Sequence, residues 1–250
     1  MSDYLKDIYV HMGSSLVIEE LSFESDTRFY ILEKFLRSIP RGRILDMGCG
    51  QGYLLKRISD YHATFGLEFD KGAAEIAKNR GLQCELADLN VIDEIPFDGL
   101  FDCIVCSEVC EHLLNPRNAY RIAHKKLKPD GLLVITVPNA LPLFVRLDCL
   151  LGRKISWLHY PSLDTEATGH IRFYTTQSLS QLAKEEDFSV LRLRGVSWRF
   201  NGWVWPRICF WIGKLISSSS NDKSAMLVDE FLSRSFPSLS PGLMVIMKKK

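Results

Sequence analysis

The chain has 250 residues, of which 46% are hydrophobic and 24% are charged. These values are typical of one globular α/β domain with a substantial core and room for an inserted or appended cap. The formal net charge of +1 gives no reason to expect a nucleic acid or another polyanion as partner. Seven cysteines at irregular spacing are typical of reduced thiols and argue against a disulfide framework.

The N-terminal segment, residues 1–40, is predicted to be helical. Ser25 or Asp26 is suited to cap a helix whose apolar residues recur at helical spacing, and Pro40 is expected to end it. The first residues contain no basic stretch followed by an apolar run, so we expect no signal peptide and a cytoplasmic protein.

Three glycines alternate directly after a short apolar strand, in the stretch Asp46-Met-Gly48-Cys-Gly50-Gln-Gly52. Glycine is needed where the backbone takes positive φ or comes close to a ligand, and the amides of the following helix then face the crevice. A dinucleotide fingerprint would have its third glycine one residue later. Asp46 would repel a pyrophosphate but suits an ammonium group. The motif therefore indicates a ligand with an amino-acid end and a nucleoside end.

Apolar strands alternate with helical stretches up to Pro138, which predicts a parallel, doubly wound sheet. The predicted strands are Arg43–Asp46, Ala63–Glu68, Leu82–Ala87, Phe101–Cys106 and Leu132–Val137, and the predicted helices are Ala73–Arg80 and Arg117–Leu127. Lys128–Gly131 is predicted to be a turn. Cys103 and Cys106 form a CxxC pattern within a strand, where they point to opposite faces, so we expect neither a metal site nor a bridge there.

Carboxylates stand at the carboxyl ends of the first three predicted strands: Asp46 and Glu68 are the last residues of the first two, and Asp88 comes directly after the third. Glu68 lies about 20 residues past the glycines, where an acidic side chain can accept hydrogen bonds from both ribose hydroxyls. Asp88 is placed to bond the amino group of a nucleobase beside Leu89. Three strand ends thus offer carboxylates to one crevice, which is where ligands bind in open α/β sheets.

The segments Phe101-Asp-Cys-Ile-Val-Cys-Ser-Glu-Val-Cys-Glu-His112 and Leu127-Lys-Pro-Asp-Gly-Leu-Leu-Val-Ile-Thr-Val-Pro-Asn139 complete a resemblance. With the glycine motif they resemble the class I S-adenosylmethionine (SAM)-dependent methyltransferases, of the ubiquinone-biosynthesis O-methyltransferase type. The resemblance covers residues 25–139 and 168–195. Asp130 stands where the family usually has glycine and Glu68 where aspartate is commoner, and neither change puts the activity in doubt.

The resemblance implies a Rossmann-like α/β fold with a seven-stranded, mostly parallel sheet, an antiparallel last strand and helices on both faces. Phe188–Leu193 and Leu243–Lys248 are the expected sixth and seventh strands. Residues 1–250 then form a single SAM-methyltransferase domain. Within it, residues 140–167 and 196–240 are insertions that form a substrate cap.

The resemblance also implies which residues hold SAM and its product S-adenosylhomocysteine. They are Asp46, Gly48, Cys49, Gly50, Gly52, Glu68, Phe69, Asp88, Leu89, Ser107 and Glu108. Arg28 of the N-terminal helix is a further candidate for the cofactor carboxylate, although an ordinary exposed arginine is the favoured interpretation.

Methyl transfer from a sulfonium mainly requires that the enzyme position the nucleophile and exclude water. A general base is needed where the acceptor must lose a proton. His112, after the fourth strand, is the candidate base and His170 the second, against the alternative of structural histidines. The expected acceptor is an oxygen or nitrogen atom of a small molecule.

Glu108, Glu111 and His112 form a Glu-x-x-Glu-His pattern that, with His170, offers carboxylate and imidazole ligands to a metal. The pattern looks like the metal-binding arrangement of small-RNA 2′-O-methyltransferases. The same letters occur in metal-free relatives, so Mg²⁺ is an alternative that the sequence does not favour. An RNA substrate is favoured still less, because no basic stripe or nucleic-acid motif accompanies the pattern.

The two insertions are rich in apolar and aromatic residues with basic residues between them. The second contains Trp198, Trp203, Trp205 and Trp211, and Pro206 and the charges exclude an uninterrupted membrane-spanning run. Packing on the sheet edge is the favoured interpretation, with a lid over an apolar substrate and peripheral membrane contact as alternatives. A hydrophobic, prenyl-linked or glycan-lipid acceptor would suit such a cap.

Two other function classes compete with methyl transfer. An NAD(P) oxidoreductase is disfavoured by the glycine spacing and by Asp46. A non-catalytic relative that serves as a partner subunit is disfavoured by the intact motif, although the motif does not prove catalysis. The sequence leaves the oligomeric state open.

Overall fold

The computed structural model of the chain describes residues 27–153, 169–196 and 231–250. Its strands are β1 Arg43–Met47, β2 Ala63–Glu68, β3 Gln83–Leu86, β4 Phe101–Ser107, β5 Leu127–Pro138, β6 Phe188–Val196 and β7 Gly242–Lys249. Its helices are α1 Thr27–Leu36, α2 Tyr53–Ile58, α3 Lys71–Asn79, α4 Pro116–Lys126, α5 Leu143–Leu150 and α6 Thr176–Glu185, with a 3-10 turn at Pro237–Leu239. Residues 231–235 are also helical.

The seven strands form one sheet in the order β3-β2-β1-β4-β5-β7-β6. The pairs from β3 to β5 are parallel, whereas β7 runs antiparallel to both β5 and β6. The predicted fold class is therefore confirmed, including the antiparallel last strand. The carboxyl ends of β1, β2 and β4 meet at one edge of the sheet, and the loops that follow them carry the candidate site residues.

Alternating residues of the central strands bury two apolar layers on opposite faces of the sheet. Ile31, Leu32 and Leu36 of α1 and Leu54 of α2 pack on the face that carries Cys103. The opposite face carries Cys106 and receives residues of α4 and α6: Ala119, Tyr120, Ile122, Ala123, Leu179 and Ala183. Cys103 and Cys106 therefore lie on opposite faces, as their spacing predicts.

The structure corrects the end of the N-terminal helix. Helix α1 ends at Leu36, because Pro40, four residues later, has no N–H to donate to the Leu36 carbonyl. That carbonyl instead lies 2.8 Å from Nε2 of the buried His62. The predicted caps Ser25 and Asp26, with the rest of residues 1–26, lie outside the described residues.

Most other boundaries differ from those predicted by one to three residues, and two of the differences are informative. Helix α3 begins at Lys71, two residues earlier than Ala73, because Asp70 accepts a hydrogen bond from the Ala73 amide (2.7 Å) and caps the helix. Strand β5 begins at Leu127 and so includes the predicted turn Lys128–Gly131. Asp130 there has φ +64°, and the pairing with β4 shifts register between Phe101 and Cys103, so a turn-like irregularity lies inside the strand.

Only part of the two predicted insertions is described. Residues 140–153 contain α5, which exposes Phe144, Leu147 and Leu150, and Arg146 of this helix donates to the carbonyl of Ser238 (2.9 Å). Residues 154–168 and 197–230, which include the tryptophans, lie outside the described residues. Within the described ranges, no helix is both long and apolar enough to cross a membrane.

Candidate active site

The glycine loop, residues 48–52, has the left-handed backbone that its sequence predicts. Gly48, Gly50 and Gly52 have φ values of +85°, +53° and +77°. A Cβ atom on Gly48 would lie 2.3 Å from Val109 Cγ2, and one on Gly52 would lie 2.3 Å from Leu82 Cδ1. A Cβ atom on Gly50 would meet no atom within 4 Å. Gly50 therefore forms the open side of the loop, where a ligand can approach the backbone.

Glu68, at the end of β2, organises this loop. Its carboxylate accepts hydrogen bonds from the amides of Gly50 (2.7 Å), Phe69 (2.9 Å) and Asp70 (2.9 Å). Burial raises the pKa of Glu68, and the three amides act in the opposite direction. A carboxylate offers about four acceptor positions, so three are already used inside the chain. The expected contact with ribose hydroxyls stays a prediction, while the role in shaping the loop is an additional finding.

Asp46 at the end of β1 is a buried carboxylate with a vacant acceptor. The residue is 4% exposed, and Oδ1 has no hydrogen-bond partner among the described residues. Burial, together with the negative charge of Glu68, raises the pKa of Asp46 to about 7. Buried polar atoms are normally paired, so an orphaned oxygen beside the glycine loop calls for an explanation. A cationic group of a bound ligand would supply one.

The loop after β3 is fixed by two asparagines that the sequence reasoning missed. Asp88 Oδ1 accepts from the backbone and side-chain amides of Asn90, at 2.9 and 3.0 Å. Asn118 donates to the carbonyl of Leu89 (2.9 Å), whose side chain is buried in the core. The adenine contact predicted for Asp88 is not tested by these bonds. Asparagine is common in loops, so no sequence signal marked these two residues.

The loop after β4 is held by a polar network around Glu108. This residue has φ +55°, which is unusual for a side chain other than glycine, and Thr136 of β5 fixes it from both sides. The amide of Glu108 donates to the Thr136 carbonyl (3.0 Å), and Oε1 accepts from the Thr136 hydroxyl (2.9 Å). The hydroxyls of Ser107 and Thr136 are 2.8 Å apart. Strain at Glu108 is thus stabilised by its neighbours.

Arg28 of α1 forms an ion pair with Glu108, with 2.6 Å between Nη1 and Oε2. The side chains are 34% and 25% exposed. Helix α1 is therefore tied to the loop after β4. The favoured interpretation of Arg28 as an ordinary exposed arginine is wrong, because its side chain is partly buried in this pair.

Glu111, His112 and His170, which we call the histidine cluster, converge next to this network. Glu111 Oε1 is 4.0 Å from Nε2 of His112 and 3.9 Å from Nε2 of His170, and the three ligand atoms lie within 4.8 Å of one another. Glu111 is completely buried, and neither of its oxygens has a hydrogen-bond partner in the described part of the chain. Burial, and then the charge of Glu108, raises the pKa of Glu111 well above its usual range.

The segment that carries His170 is docked onto the loop after β4. The amides of Ile171 and Arg172 both donate to the carbonyl of Glu111 (3.0 and 3.1 Å). The guanidinium of Arg172 donates to the carbonyls of Leu113 and Leu114 (3.0 and 2.5 Å). The hydroxyl of Tyr174 donates to the carbonyl of Cys110 (3.2 Å). These bonds place His170 beside His112, with ring centroids 4.9 Å apart.

The tautomer of His112 follows from its backbone contact. Nδ1 is 3.2 Å from the carbonyl oxygen of Gly169. A carbonyl only accepts, so Nδ1 carries the hydrogen and Nε2 carries the lone pair of the neutral ring. That lone pair is on the side of the ring that faces Glu111. The glycine loop packs against the segment that carries His112. Val109, three residues before His112, leaves no room for a Cβ atom on Gly48.

The sequence matches a known family over most of its length. Residues 26–193 match the family described as "Methyltransferase domain". Ubiquinone biosynthesis O-methyltransferases are among its relatives. The one from Rickettsia akari is 24% identical over 177 residues, covering 67% of this chain and 68% of that protein. The one from Rickettsia typhi is 22% identical over 211 residues, covering 77% and 82%.

Solved structures with the same fold include a possible histamine N-methyltransferase from Thermotoga maritima (TM-score 0.61, 16% identity, 96% of this chain and 99% of that one). Another is magnesium protoporphyrin IX methyltransferase from Synechocystis with bound S-adenosylhomocysteine (TM-score 0.55, 12% identity, 89% and 82%). The chain belongs to the class I SAM-dependent methyltransferase family.

Apart from Asp88 and Leu89, which follow β3, the predicted site residues of this methyltransferase fall into two groups. The glycine loop, Asp46, Glu68 and Phe69 lie at the ends of β1 and β2, whereas Ser107, Glu108, His112 and His170 surround the end of β4. The thiol of Cys49 is turned into the sheet, 2.5 Å from where a Cβ of Gly66 would lie, so its backbone is the part that belongs to the open loop. Its predicted contact with the cofactor stays a prediction.

Proposed function

We propose that this methyltransferase binds SAM at the glycine loop and transfers the methyl group to an oxygen or nitrogen atom of a small-molecule acceptor, with His112 as general base. The observation that carries the proposal is that Val109, three residues before His112, packs against the glycine loop at Gly48. A cofactor held by the loop would then present its methyl group near Nε2 of His112.

Asp46 is the proposed partner of the SAM ammonium group. An orphaned, buried carboxylate oxygen fits a cation, and the ion pair would be strong in a site with little water. The open side of the loop at Gly50, where a Cβ atom would meet nothing within 4 Å, gives the rest of the amino-acid end room to approach the backbone. Glu68 keeps one acceptor position for a ribose hydroxyl. Phe69, Asp88 and Leu89 are proposed for the nucleoside, and Ser107 and Glu108 for the wall of the pocket.

The chemical step that we propose is an in-line displacement. The acceptor atom attacks the methyl carbon, the bond between that carbon and sulfur breaks, and S-adenosylhomocysteine leaves. Nε2 of His112 takes the proton that the acceptor loses. The bond from Nδ1 to the Gly169 carbonyl fixes the required tautomer and stabilises the imidazolium that forms. His170 is the second candidate for the same role.

A divalent cation in the histidine cluster is a second proposal, carried by the two orphaned oxygens of Glu111. Metal-bound histidines usually donate their other ring N–H to a backbone carbonyl, and His112 does so. Two imidazoles with one carboxylate suit Mn²⁺ or Zn²⁺ better than Mg²⁺. Such an ion would lower the pKa of an acceptor hydroxyl bound to it.

The metal proposal is tested by calorimetric titration of MnCl₂, ZnCl₂ and MgCl₂ into protein treated with a chelator. We expect binding of Mn²⁺ or Zn²⁺ that is lost in Glu111→Gln and in His170→Ala. His124→Ala is the control, because His124 packs on Phe188 of β6 and its loss leaves the cluster intact. Absence of binding in the wild-type protein would contradict the proposal.

For the acceptor we propose an apolar molecule with an acidic hydroxyl, such as a phenol that bears a prenyl chain. Its support is the described start of the first insertion, where α5 exposes Phe144, Leu147 and Leu150 after strand β5. The relatives that are named O-methyltransferases also favour oxygen. Peripheral membrane contact would be compatible with such an acceptor.

The test measures methyl transfer from isotopically labelled SAM to catechols with and without a prenyl chain, and to matched amines. We expect transfer to oxygen and a lower KM for the prenylated compounds. Equal KM values with and without the chain would overturn the apolar acceptor. Binding of S-adenosylhomocysteine without transfer to any acceptor would instead favour a non-catalytic partner subunit.

A further inference from the structure

Two thiols that methyl transfer does not use lie side by side under the glycine loop. The sulfur atoms of Cys49 and Cys84 are 3.6 Å apart, and both side chains are buried. Cys49 lies inside the glycine loop, whereas Cys84 belongs to β3, 35 residues further along the chain. The contact therefore joins the loop to another part of the sheet.

Gly66 of β2 creates the space for this pair. In the strand register, Gly66 is paired directly with Cys84. A Cβ atom on Gly66 would lie 2.5 Å from the sulfur of Cys49, which is too close for any real contact. The Cys49 sulfur thus occupies the position that a side chain of residue 66 would take beside Cys84. The packing of two strands, β2 and β3, against the glycine loop therefore fixes the positions of both sulfur atoms.

The position of the pair at the edge of the sheet gives an oxidant a route to it. Strand β3 is the first strand in the sheet order, and Gln83 and Glu85 on either side of Cys84 are exposed. Edge elements open locally at lower cost than central ones. The contact with Cys49 lowers the pKa of Cys84, while the same contact and burial raise the pKa of Cys49. Cys84 is therefore the thiol that reacts first as a thiolate.

We propose that Cys49 and Cys84 are a redox site, in which a peroxide converts the two thiols to a reversible disulfide that weakens cofactor binding. The Cys84 thiolate attacks one peroxide oxygen, the O–O bond breaks, and the released hydroxide takes a proton to form water. Cys49 then attacks the sulfenic sulfur of Cys84, the S–O bond breaks, and a second water leaves. Two thiols and one hydrogen peroxide thus give one disulfide and two waters.

The disulfide changes the loop because a sulfur–sulfur bond is about 2.05 Å long, so the two sulfurs must approach by about 1.5 Å. The amides of Gly48 and Cys49 both bond the Leu67 carbonyl (2.7 and 3.0 Å), and Gly50 bonds Glu68. A pull on Cys49 disturbs these contacts and hence the open side of the loop. This consequence rests on the proposed binding of SAM at the loop, whereas formation of the disulfide does not.

The chain contains a matched comparison pair. The sulfurs of Cys106 and Cys110 are 3.7 Å apart, almost the same separation, but both residues are completely buried and Cys106 belongs to the central strand β4. Oxidation should therefore select Cys49 and Cys84. The test protein carries Cys149→Ser and Cys209→Ser, because Cys149 is exposed and Cys209 lies outside the described residues.

The first experiment maps disulfides by mass spectrometry after treatment with hydrogen peroxide and alkylation of remaining thiols. Trypsin alone leaves Cys84 in one peptide with Cys103, Cys106 and Cys110, because residues 81–116 contain no lysine or arginine. A second protease that cleaves after glutamate separates Cys84 from the other three cysteines, and Cys106 from Cys110. We expect a linked Cys49–Cys84 peptide that disappears with dithiothreitol. Its absence, or a linked Cys106–Cys110 peptide in its place, would overturn the proposal.

The second experiment titrates S-adenosylhomocysteine into reduced and oxidised protein. We expect oxidation to weaken binding about tenfold, within the range of coupling between linked sites, and dithiothreitol to restore it. Cys84→Ala and Cys84→Ser should keep the reduced affinity and lose the response, while Cys106→Ala should keep the response. Equal affinities of the oxidised and reduced proteins would overturn the effect on the loop. Failure of the reduced protein to bind would instead contradict the proposed function and leave the disulfide map standing.

Discussion

Glu68 and Glu111 lie in neighbouring parts of one site, but their carboxylates are buried in opposite ways. Glu68 accepts three backbone hydrogen bonds and thereby builds the glycine loop. Glu111 accepts none among the described residues, and the nearest histidine nitrogens are 3.9 and 4.0 Å away. A buried carboxylate whose oxygens accept hydrogen bonds stabilises the fold around it. A buried carboxylate without such bonds costs free energy, and we expect it where a ligand or a proton binds to it.

The site therefore has two ends: the glycine loop, whose hydrogen bonds are formed without ligand, and the histidine cluster, whose hydrogen bonds are not. At the glycine loop, Oδ1 of Asp46 is the only buried side-chain oxygen or nitrogen atom without a hydrogen-bond partner among the described residues. At the histidine cluster, both oxygens of Glu111 lack one in the same ranges. The first end is therefore expected to hold the cofactor in a preformed cradle, and the second to carry the chemistry. The two ends should respond separately to mutation.

Replacement of the base should have the largest effect. His112→Ala is expected to lower turnover by about 10²- to 10⁴-fold, the usual contribution of a general base. Binding of S-adenosylhomocysteine should stay within about threefold of wild type, since the glycine loop is unchanged. Turnover is measured with labelled SAM and affinity by calorimetry, with His124→Ala as control. Unchanged turnover would show that His112 is not the base.

A valine at position 50 should block cofactor binding at the glycine loop. Gly50→Val is expected to weaken S-adenosylhomocysteine binding by at least about 100-fold, because its side chain would fill the open side of the loop. Gly81→Val is the matched control, since Gly81 also has a positive φ (+81°) and open space around its Cβ position. Both variants carry similar backbone strain, so a comparable loss of affinity in the control would contradict a cofactor contact at Gly50.

Removal of the charge of Asp46 should have an intermediate effect. Asp46→Asn is expected to weaken cofactor binding by about 10- to 100-fold, through loss of the charge partner of the ammonium group. In the wild-type protein, affinity should fall as the pH drops below about 7, because protonation then neutralises Asp46. Calorimetry between pH 5.5 and about 8.5 checks this trend, because the range spans the pKa of Asp46. A wild-type pH profile identical to that of the variant would exclude Asp46 as the cause.

The contrast between the two glutamates predicts a difference in stability. Glu68→Gln is expected to lower the free energy of unfolding by about 1–3 kcal/mol, because an amide nitrogen cannot accept the amide hydrogens that Glu68 binds. Glu111→Gln should not lower it, since no described hydrogen bond is lost and the cost of burying an unpaired acid is removed. Urea unfolding of both variants measures the difference. Equal losses would remove the distinction between scaffold and functional acid.

The last expected effect is a pH dependence of stability without cofactor. The pKa of Asp46 is about 7 in the folded protein against 3.8 for the free side chain. The folded state therefore binds more protons between these values, so the free energy of unfolding falls as the pH rises from about 4 to about 7. The difference between wild type and Asp46→Asn isolates this contribution in urea titrations. If wild type instead lost stability relative to Asp46→Asn as the pH fell, the sign would be reversed and the assignment contradicted.

The sequence predicts the first end of the site well because its determinants are local. Gly48, Gly50 and Gly52 follow Asp46 within six residues, and each needs the conformation that the motif implies. The strand ends follow from hydrophobic patterning, and the sheet orders them. Even so, the bonds of Glu68 to the loop could not be read from its position, because side-chain partners depend on the final packing.

The second end depends on contacts between distant segments. His112 meets the carbonyl of Gly169, 57 positions later, and Arg172 and Tyr174 fix the intervening geometry. The motif predicts that these histidines take part, but only the structure shows that Glu111 is the buried centre of the cluster. The Cys49–Cys84 contact is equally non-local, because it depends on the register of β2 and β3.

One titration tests the central claim most directly: S-adenosylhomocysteine added by calorimetry to wild type, Asp46→Asn and His112→Ala under reducing conditions. We expect micromolar binding by wild type and His112→Ala, and binding weaker by about 10- to 100-fold in Asp46→Asn. Such a result would assign the cofactor to the preformed end of the site. Absence of binding by the wild-type protein, or equal binding by all three, would contradict it.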